Sequence, residues 1–379
     1  MLAAIPVARP LLPPAEAIQP YLREIDANAW YSNHGPLARR LQGRLATHWG
    51  MPDQSVALLA NATCGLTLAL LASGVKPGQR CFLPSWTFVA SAGAVASAGM
   101  IPHFVDVSPS TWAPNPDEIE RLARLPDAGA ILVVSPFGAP LDLAMWDRVR
   151  RRTGLPVIID AAAAFDTLRA DGPMPAGDCP IVVSLHATKV FGIGEGGALM
   201  SRDPDFVSRV RALAQFGFAG TREAKWPGGN AKLSEYGAAV GLAGLDVWPE
   251  TRTRWDRATQ TYRQALPRSV ALPPRFGLGW VSSTLTVLAP RDQPGLDDQL
   301  AASGVATLRW WGGGCHTQQA YGTCPSEDLP VTAVYARRAV GLPFWQGLTA
   351  PQIDTVATAL RRALVPAARR RADAKLVEA

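Results

Sequence analysis

Between residues 56 and 184 the chain repeats one pattern: a short unbroken apolar run, then a stretch of helical character. The apolar runs fall at 56–59, 80–83, 102–107, 130–135, 157–160 and 181–184. Helical stretches at 64–72, 87–98 and 142–152 lie between them. A strand that is apolar on every residue needs cover on both faces. Helical connections supply that cover and allow parallel pairing. The pattern predicts an α/β fold with a mostly parallel sheet flanked by helices. Beyond residue 241 the spacing predicts a long polar helix at 248–265, an alternating strand at 280–288, and helices at 296–302 and 351–364. Strands and helices are segregated there, as in an α+β domain. The expected division is an arm and helix at 1–45, a large domain at 46–245 and a smaller one at 246–379.

Composition narrows the function classes. Of 379 residues, 48% are hydrophobic and 18% charged, which excludes a disordered, solvating chain. The net charge is +6, but six basic residues against two acidic ones lie after position 360. The excess is mostly a terminal run, expected to be a solvated tail, so no nucleic-acid partner is expected. No run reaches the ~18 apolar residues of a membrane span, so no membrane partner is expected either. The first 14 residues are apolar but carry four prolines and no basic start, unlike a secretory signal. Five cysteines at odd count, without CxxC spacing, predict reduced thiols in a cytoplasmic protein and no metal site.

Three elements carry chemistry. Lys189 follows the apolar run at 181–184 and precedes the glycine cluster Gly194, Gly196, Gly197. A lysine drawn out of water loses its charge more readily, and a neutral amine is what Schiff-base chemistry needs. Asp160 ends the apolar run at 157–160. Ligands of open α/β sheets sit beyond the carboxyl ends of strands, and a carboxylate there can pair with a pyridinium nitrogen. Asn61, Ala62, Thr63 and Cys64 open a helix directly after a strand. Its free N–H groups and dipole favour an anion, with the Thr63 hydroxyl and the Cys64 N–H as donors and Ser184 beside them. Each element alone has an ordinary explanation: a loop lysine, a capping aspartate, an unliganded helix cap. Together they are the amine, the ring-nitrogen partner and the phosphate cup that pyridoxal 5'-phosphate requires.

With these residues in place, the chain resembles the DegT/StrS-type nucleotide-sugar aminotransferases, which are fold-type-I pyridoxal-phosphate enzymes. The resemblance runs through residues 30–37, 61–70, 84–90, 160–165, 184–197, 229–235, 316–321 and 341–354. It implies a large domain with a seven-stranded, mostly parallel sheet and a smaller α+β domain. It implies Lys189 as the Schiff-base lysine, Asp160 on the pyridine nitrogen, and Thr63, Cys64 and Ser184 around the phosphate. Cys64 stands where the family usually has serine. Phe88 matches the residue that stacks on the cofactor ring. Asn230 matches the residue that reaches the neighbouring subunit's cofactor, which implies a homodimer with shared sites. Tyr31, Asn33, His186, Arg309 and His316, with Trp310, are candidates for contact with substrate. One departure is Ala163, where His or Gln usually lies near the cofactor's phenolic oxygen. Water or His186 could compensate; His186 is equally a candidate core histidine.

The resemblance implies transfer of an amino group from glutamate to a nucleoside-diphosphate keto sugar, a 4-keto-6-deoxy sugar first, by a ping-pong route. A cyclitol ketone is the alternative acceptor. Related sugar dehydratases carry His at the position of Lys189, so the lysine argues for transamination. A non-catalytic regulatory protein on the same fold is the remaining alternative.

Overall fold

The computed structural model describes residues 4–365. Helices α1 (Ala15–Asn28) and α2 (Pro36–His48) lead into β1 (Val56–Leu59), α3 (Ala62–Ala72), β2 (Arg80–Pro84), α4 (Val89–Ser97) and β3 (Ile101–Val105). Then come α5 (Pro116–Leu122), β4 (Ala128–Val134), α6 (Leu143–Thr153), β5 (Val157–Asp160), β6 (Ile181–Ser184), β7 (Gly197–Met200) and α7 (Pro204–Leu213). The remainder is α8 (Glu235–Asp246), α9 (Trp248–Ala265), β8 (Leu285–Leu288), α10 (Leu296–Ala302), α11 (Pro330–Arg338), β9 (Ala339–Leu342) and α12 (Ala350–Leu364).

The first seven strands form one sheet in the order β1-β7-β6-β5-β4-β2-β3. β7 runs antiparallel to both its neighbours, and the other pairs are parallel. The unbroken apolar runs are explained by cover on both faces. Val157 and Ile159 enter one core with Leu41 and Leu242, while Ile158 enters the other with Leu66 and Val95. The core on the α2 and α8 side continues to Leu285, Val287, Val340 and Leu342 of the antiparallel pair β8–β9. The arm joins this second region: Ile5 N–H donates to Gly304 O at 2.8 Å, and Phe344 N–H to Val7 O at 2.9 Å. No helix among the described residues is long and apolar enough to cross a membrane.

Two expectations need correction. The helix expected at 87–98 starts only at Val89, leaving Thr87 and Phe88 in the connection. The strand expected at 280–288 is reduced to Leu285–Leu288. Residues before it are engaged elsewhere: Val281 N–H donates to Asp166 Oδ2 at 2.9 Å and Ser282 Oγ to Phe137 O at 2.9 Å. The basic tail after Val365 lies outside the described residues.

Glu235 locks α2 onto α8. Gly35 at the start of α2 has no side chain to cap it, and Pro36 has no N–H. The buried Glu235 carboxylate instead accepts from Leu37 N–H at 2.8 Å and Ala38 N–H at 2.9 Å. A Cβ on residue 35 would sit 2.6 Å from Glu235 Cδ, so only glycine admits this approach. Glu235→Ala should cost about 2 kcal/mol, because both N–H groups lose their partner away from water. Urea unfolding checks this: the midpoint should fall with the slope unchanged.

Candidate active site

The parallel strands deliver their carboxyl ends to one edge of the sheet. β1 and β6 both run against β7, so β1 points the same way as the parallel set. The segments after β1, β2, β5 and β6 therefore meet at that edge, as the rule for open α/β sheets expects. They carry Asn61 to Cys64, Ser85 to Phe88, Asp160, and Ser184 to Lys189. β7 starts there, and its first residue allows a close approach. A Cβ on Gly197 would lie 2.5 Å from Asn61 C and 2.7 Å from Ala62 N, so the glycine lets β7 pass against the start of α3.

Asp160 and Lys189 form the electrostatic centre. Asp160 is only 6% exposed and ends β5 on the face shared with Ile158. Its Oδ2 accepts from Ser91 Oγ at 2.7 Å, and its Oδ1 from Ala162 N–H at 3.1 Å. Burial pushes the Asp160 carboxyl above its ordinary pKa, and the two hydrogen bonds and the Lys189 charge only partly oppose this. Burial likewise pushes Lys189 below its ordinary value, against the pull of Asp160. Burial outweighs attraction on both sides of the pair. The lysine is therefore poised toward the neutral amine. The buried carboxylate is short of positive charge, and a pyridinium N–H would supply it.

The segment expected to cup an anion opens α3 with one change. Asn61 caps α3, and its side-chain oxygen accepts the Cys64 N–H at 2.8 Å. The Cys64 N–H is thus engaged by the cap, correcting its expected role as a free donor. Thr63 is exposed at the helix start, and its hydroxyl makes no hydrogen bond among the described residues. Ser184 is buried at the end of β6, and its Oγ accepts the His186 N–H at 3.2 Å. Phe88 is 58% exposed in the connection between β2 and α4.

Other sequence candidates are placed differently. His186 is not a core histidine: its side chain is 43% exposed, 2.8 Å from Thr188 Oγ1 and 3.6 Å from Glu195 Oε1. Arg309 is not a free cation for substrate. Its guanidinium holds Asp297 at 2.6 Å and donates to the carbonyls of Arg337 and Ala339, both at 3.0 Å. His316 docks onto the segment after β2, with Nδ1 2.7 Å from Ser85 Oγ. Burial lowers its pKa, partly opposed by Asp106. Trp310 lines a cleft of about 350 Å³ with Phe88, Trp311 and Gln318. Tyr31 stacks on Tyr236 at 6.3 Å, and Asn33 lies nearby in the left-handed region with φ 61°. Asn230 sits in an exposed segment, and its side-chain oxygen accepts from Lys232 Nζ at 2.6 Å. The adjacent Ala231 carbonyl accepts the Ala60 N–H at 2.7 Å, just before the cup.

Sequence reasoning missed Ser91. It stands in a run of small residues, and its bond to Asp160 joins positions 69 apart. The available signal was a hydroxyl in the first turn of a helix of small, mostly apolar residues.

A mostly parallel sheet with lysine, aspartate and anion cup along one edge is the architecture of fold-type-I pyridoxal-phosphate enzymes. Residues 14–361 match the DegT/DnrJ/EryC1/StrS aminotransferase family, and the chain belongs to that family. GDP-perosamine synthase of Caulobacter vibrioides is 31% identical over 377 residues, covering 96% of this chain and 99% of that protein. Protein MT3510 of Mycobacterium tuberculosis is 40% identical over 253 residues, 64% of this chain. That match spans only 61% of the relative's length. The crystal structure of DesI, determined in the presence of its TDP-sugar product, superposes with a TM-score of 0.87 at 30% identity. It covers 99% of this chain and 96% of DesI. Pyridoxal phosphate is the cofactor of this family's aminotransferases.

Proposed function

We propose that this chain is a sugar aminotransferase that moves an amino group from glutamate to the keto group of a nucleoside-diphosphate sugar, a 4-keto-6-deoxy sugar in the first instance. The observation that carries the reading is half-buried Lys189 paired with buried Asp160 at the carboxyl edge of the sheet. The full-length likeness to GDP-perosamine synthase supports a nucleotide-linked sugar as the acceptor. When bound, pyridoxal phosphate supplies an electron sink and carries the amino group between two half-reactions. Asp160 holds positive charge at the ring nitrogen. Lys189, once released, would take the proton from the donor's Cα and pass it to the cofactor's C4′ carbon. Thr63 and Ser184 hold the phosphate, and Phe88 covers the ring. Ping-pong kinetics follow. The reading includes a division near residue 245 into a cofactor-binding and a smaller domain. It also includes cytoplasmic placement, which the free cysteines Cys64, Cys81, Cys179, Cys315 and Cys324 support. The test is a panel of nucleotide-linked 4-keto and 3-keto sugars offered with glutamate, read by product mass. An aminated 4-keto product supports the reading. Amination of none of them overturns it.

The proposal includes a homodimer in which Asn230 completes the partner's phosphate pocket. Lys232 occupies the Asn230 oxygen, which leaves its NH₂ to donate outward without adding charge. Exposed Phe216, Trp226, Tyr31 and Tyr236, in this segment or close to it in sequence or contact, are large apolar groups that a partner would cover. Mixing inactive Lys189→Ala and Asn230→Asp subunits should restore activity. One site of each mixed dimer then has both lesions and the other neither, so about half of one dimer's activity returns. No recovery, with subunit exchange confirmed by mass, would mean that Asn230 serves its own subunit.

A further inference from the structure

We propose that Ser91, oriented by Thr87, is a positioning residue that holds Asp160 as an ionised carboxylate aimed at the cofactor's ring nitrogen. The proposal rests on the reading of Asp160 given above.

Three buried side chains lie in a row. Thr87 Oγ1 is 3.1 Å from Ser91 Oγ, and Ser91 Oγ is 2.7 Å from Asp160 Oδ2. A hydroxyl has one proton to donate and lone pairs to accept with. An ionised Asp160 has no proton, so Ser91 must donate to it. Ser91 is then left as acceptor, and Thr87 donates to Ser91. The charged carboxylate fixes the direction of both bonds. A protonated Asp160 would gain less from this arrangement, so the relay favours the charged form. That bias matters because burial acts the other way. Lys189 is the titratable group that bears on the carboxyl, from the connection after β6. The remaining contact, Ala162 N–H to Oδ1, comes from the chain just after β5.

The origin of the relay is itself anchored. Thr87 N–H donates to Ser85 O at 3.0 Å. Cys315 Sγ lies 3.5 Å from Thr87 O, and Cys315 N–H donates to Ser85 O at 2.7 Å. The Thr87 hydroxyl is thereby held in place from the loop at 312–317. Its position between β2 and α4, rather than inside the helix, makes this geometry possible.

The experiment uses the full chain loaded with pyridoxal phosphate, as Ser91→Ala, Ser91→Thr, Thr87→Val and Asp160→Asn. Two quantities are read: the cofactor dissociation constant, and the pH profile of the first half-reaction with glutamate. Ser91→Ala should weaken cofactor binding about tenfold, the usual worth of a hydrogen bond to a charged group. With less help, the Asp160 carboxyl protonates at higher pH. The acid limb of the profile should therefore move up by about one pH unit. Ser91→Thr keeps the donor and should restore both quantities. Thr87→Val keeps the shape, removes the first donor, and should shift both in the same direction by less. A role in packing alone would lower thermal stability without moving the acid limb. If Ser91→Ala does not fold, Thr87→Val carries the test. An unmoved acid limb and unchanged affinity overturn the relay. If Asp160→Asn is slow while the relay variants are normal, the relay falls and the reading of Asp160 stands. If Asp160→Asn is itself normal, both fall.

Discussion

Lys189→Ala should leave a folded protein that holds pyridoxal phosphate only reversibly and turns over at least about a thousandfold more slowly. The expected loss is large because one side chain has two tasks. On the proposed reading it attaches the cofactor and then moves the proton from the donor's Cα. Burial lowers its pKa, which favours the amine form that acts as nucleophile and base. Among the described residues the Lys189 side chain makes no hydrogen bond, and the backbone bond from Lys189 N–H to His186 O at 2.9 Å remains in the variant. The measurement is borohydride reduction followed by peptide mass, alongside steady-state turnover. Covalent cofactor should be found on Lys189 in the native protein and on none of Lys76, Lys225, Lys232 and Lys375. Near-normal turnover of the variant would remove the assignment.

Asp160→Asn should slow the half-reaction with glutamate by about a hundredfold or more, the scale seen when one preorganised electrostatic contact is deleted. The substitution keeps shape and volume. It removes the negative charge that holds the ring nitrogen protonated, and with it the electron sink for the departing Cα proton. The Ala162 N–H can still find an amide oxygen, so folding should change little. Stopped-flow absorbance of the first half-reaction isolates this step from acceptor binding. An unchanged rate would reduce Asp160 to a structural capping residue.

The sheet was legible because its cause is local. Runs such as Val157 to Ile159 are apolar on consecutive residues, and only a doubly covered strand uses that pattern. The site residues at strand ends were legible for the same reason: once the strands are placed, Asp160, Ser184 and Lys189 fall at one edge. What depends on distant partners was not. Ser91 meets Asp160 across 69 positions, and no spacing rule connects a helix hydroxyl to a strand end that far away. Arg309 looked available for substrate because Asp297 and the carbonyls of Arg337 and Ala339 are brought to it only by the packing of the smaller region. The residues at 280–284 have strand-like alternation, yet Asp166 and Phe137 take their hydrogen bonds. The capping of Cys64 by Asn61 was within reach of sequence, since an asparagine three residues ahead is a common helix cap. The anion-cup reading of the same turn competed with it.

Transfer of nitrogen from ¹⁵N-glutamate tests the central claim most directly. The holoenzyme is first incubated with labelled glutamate alone, the free amino acid and 2-oxoglutarate are removed, and a nucleotide-linked 4-keto-6-deoxy sugar is then added. The account predicts one labelled amino group per active site in the sugar product, found by mass, and none with Lys189→Ala. An unlabelled product, or no amination of any nucleotide-linked keto sugar by the washed enzyme, would contradict it.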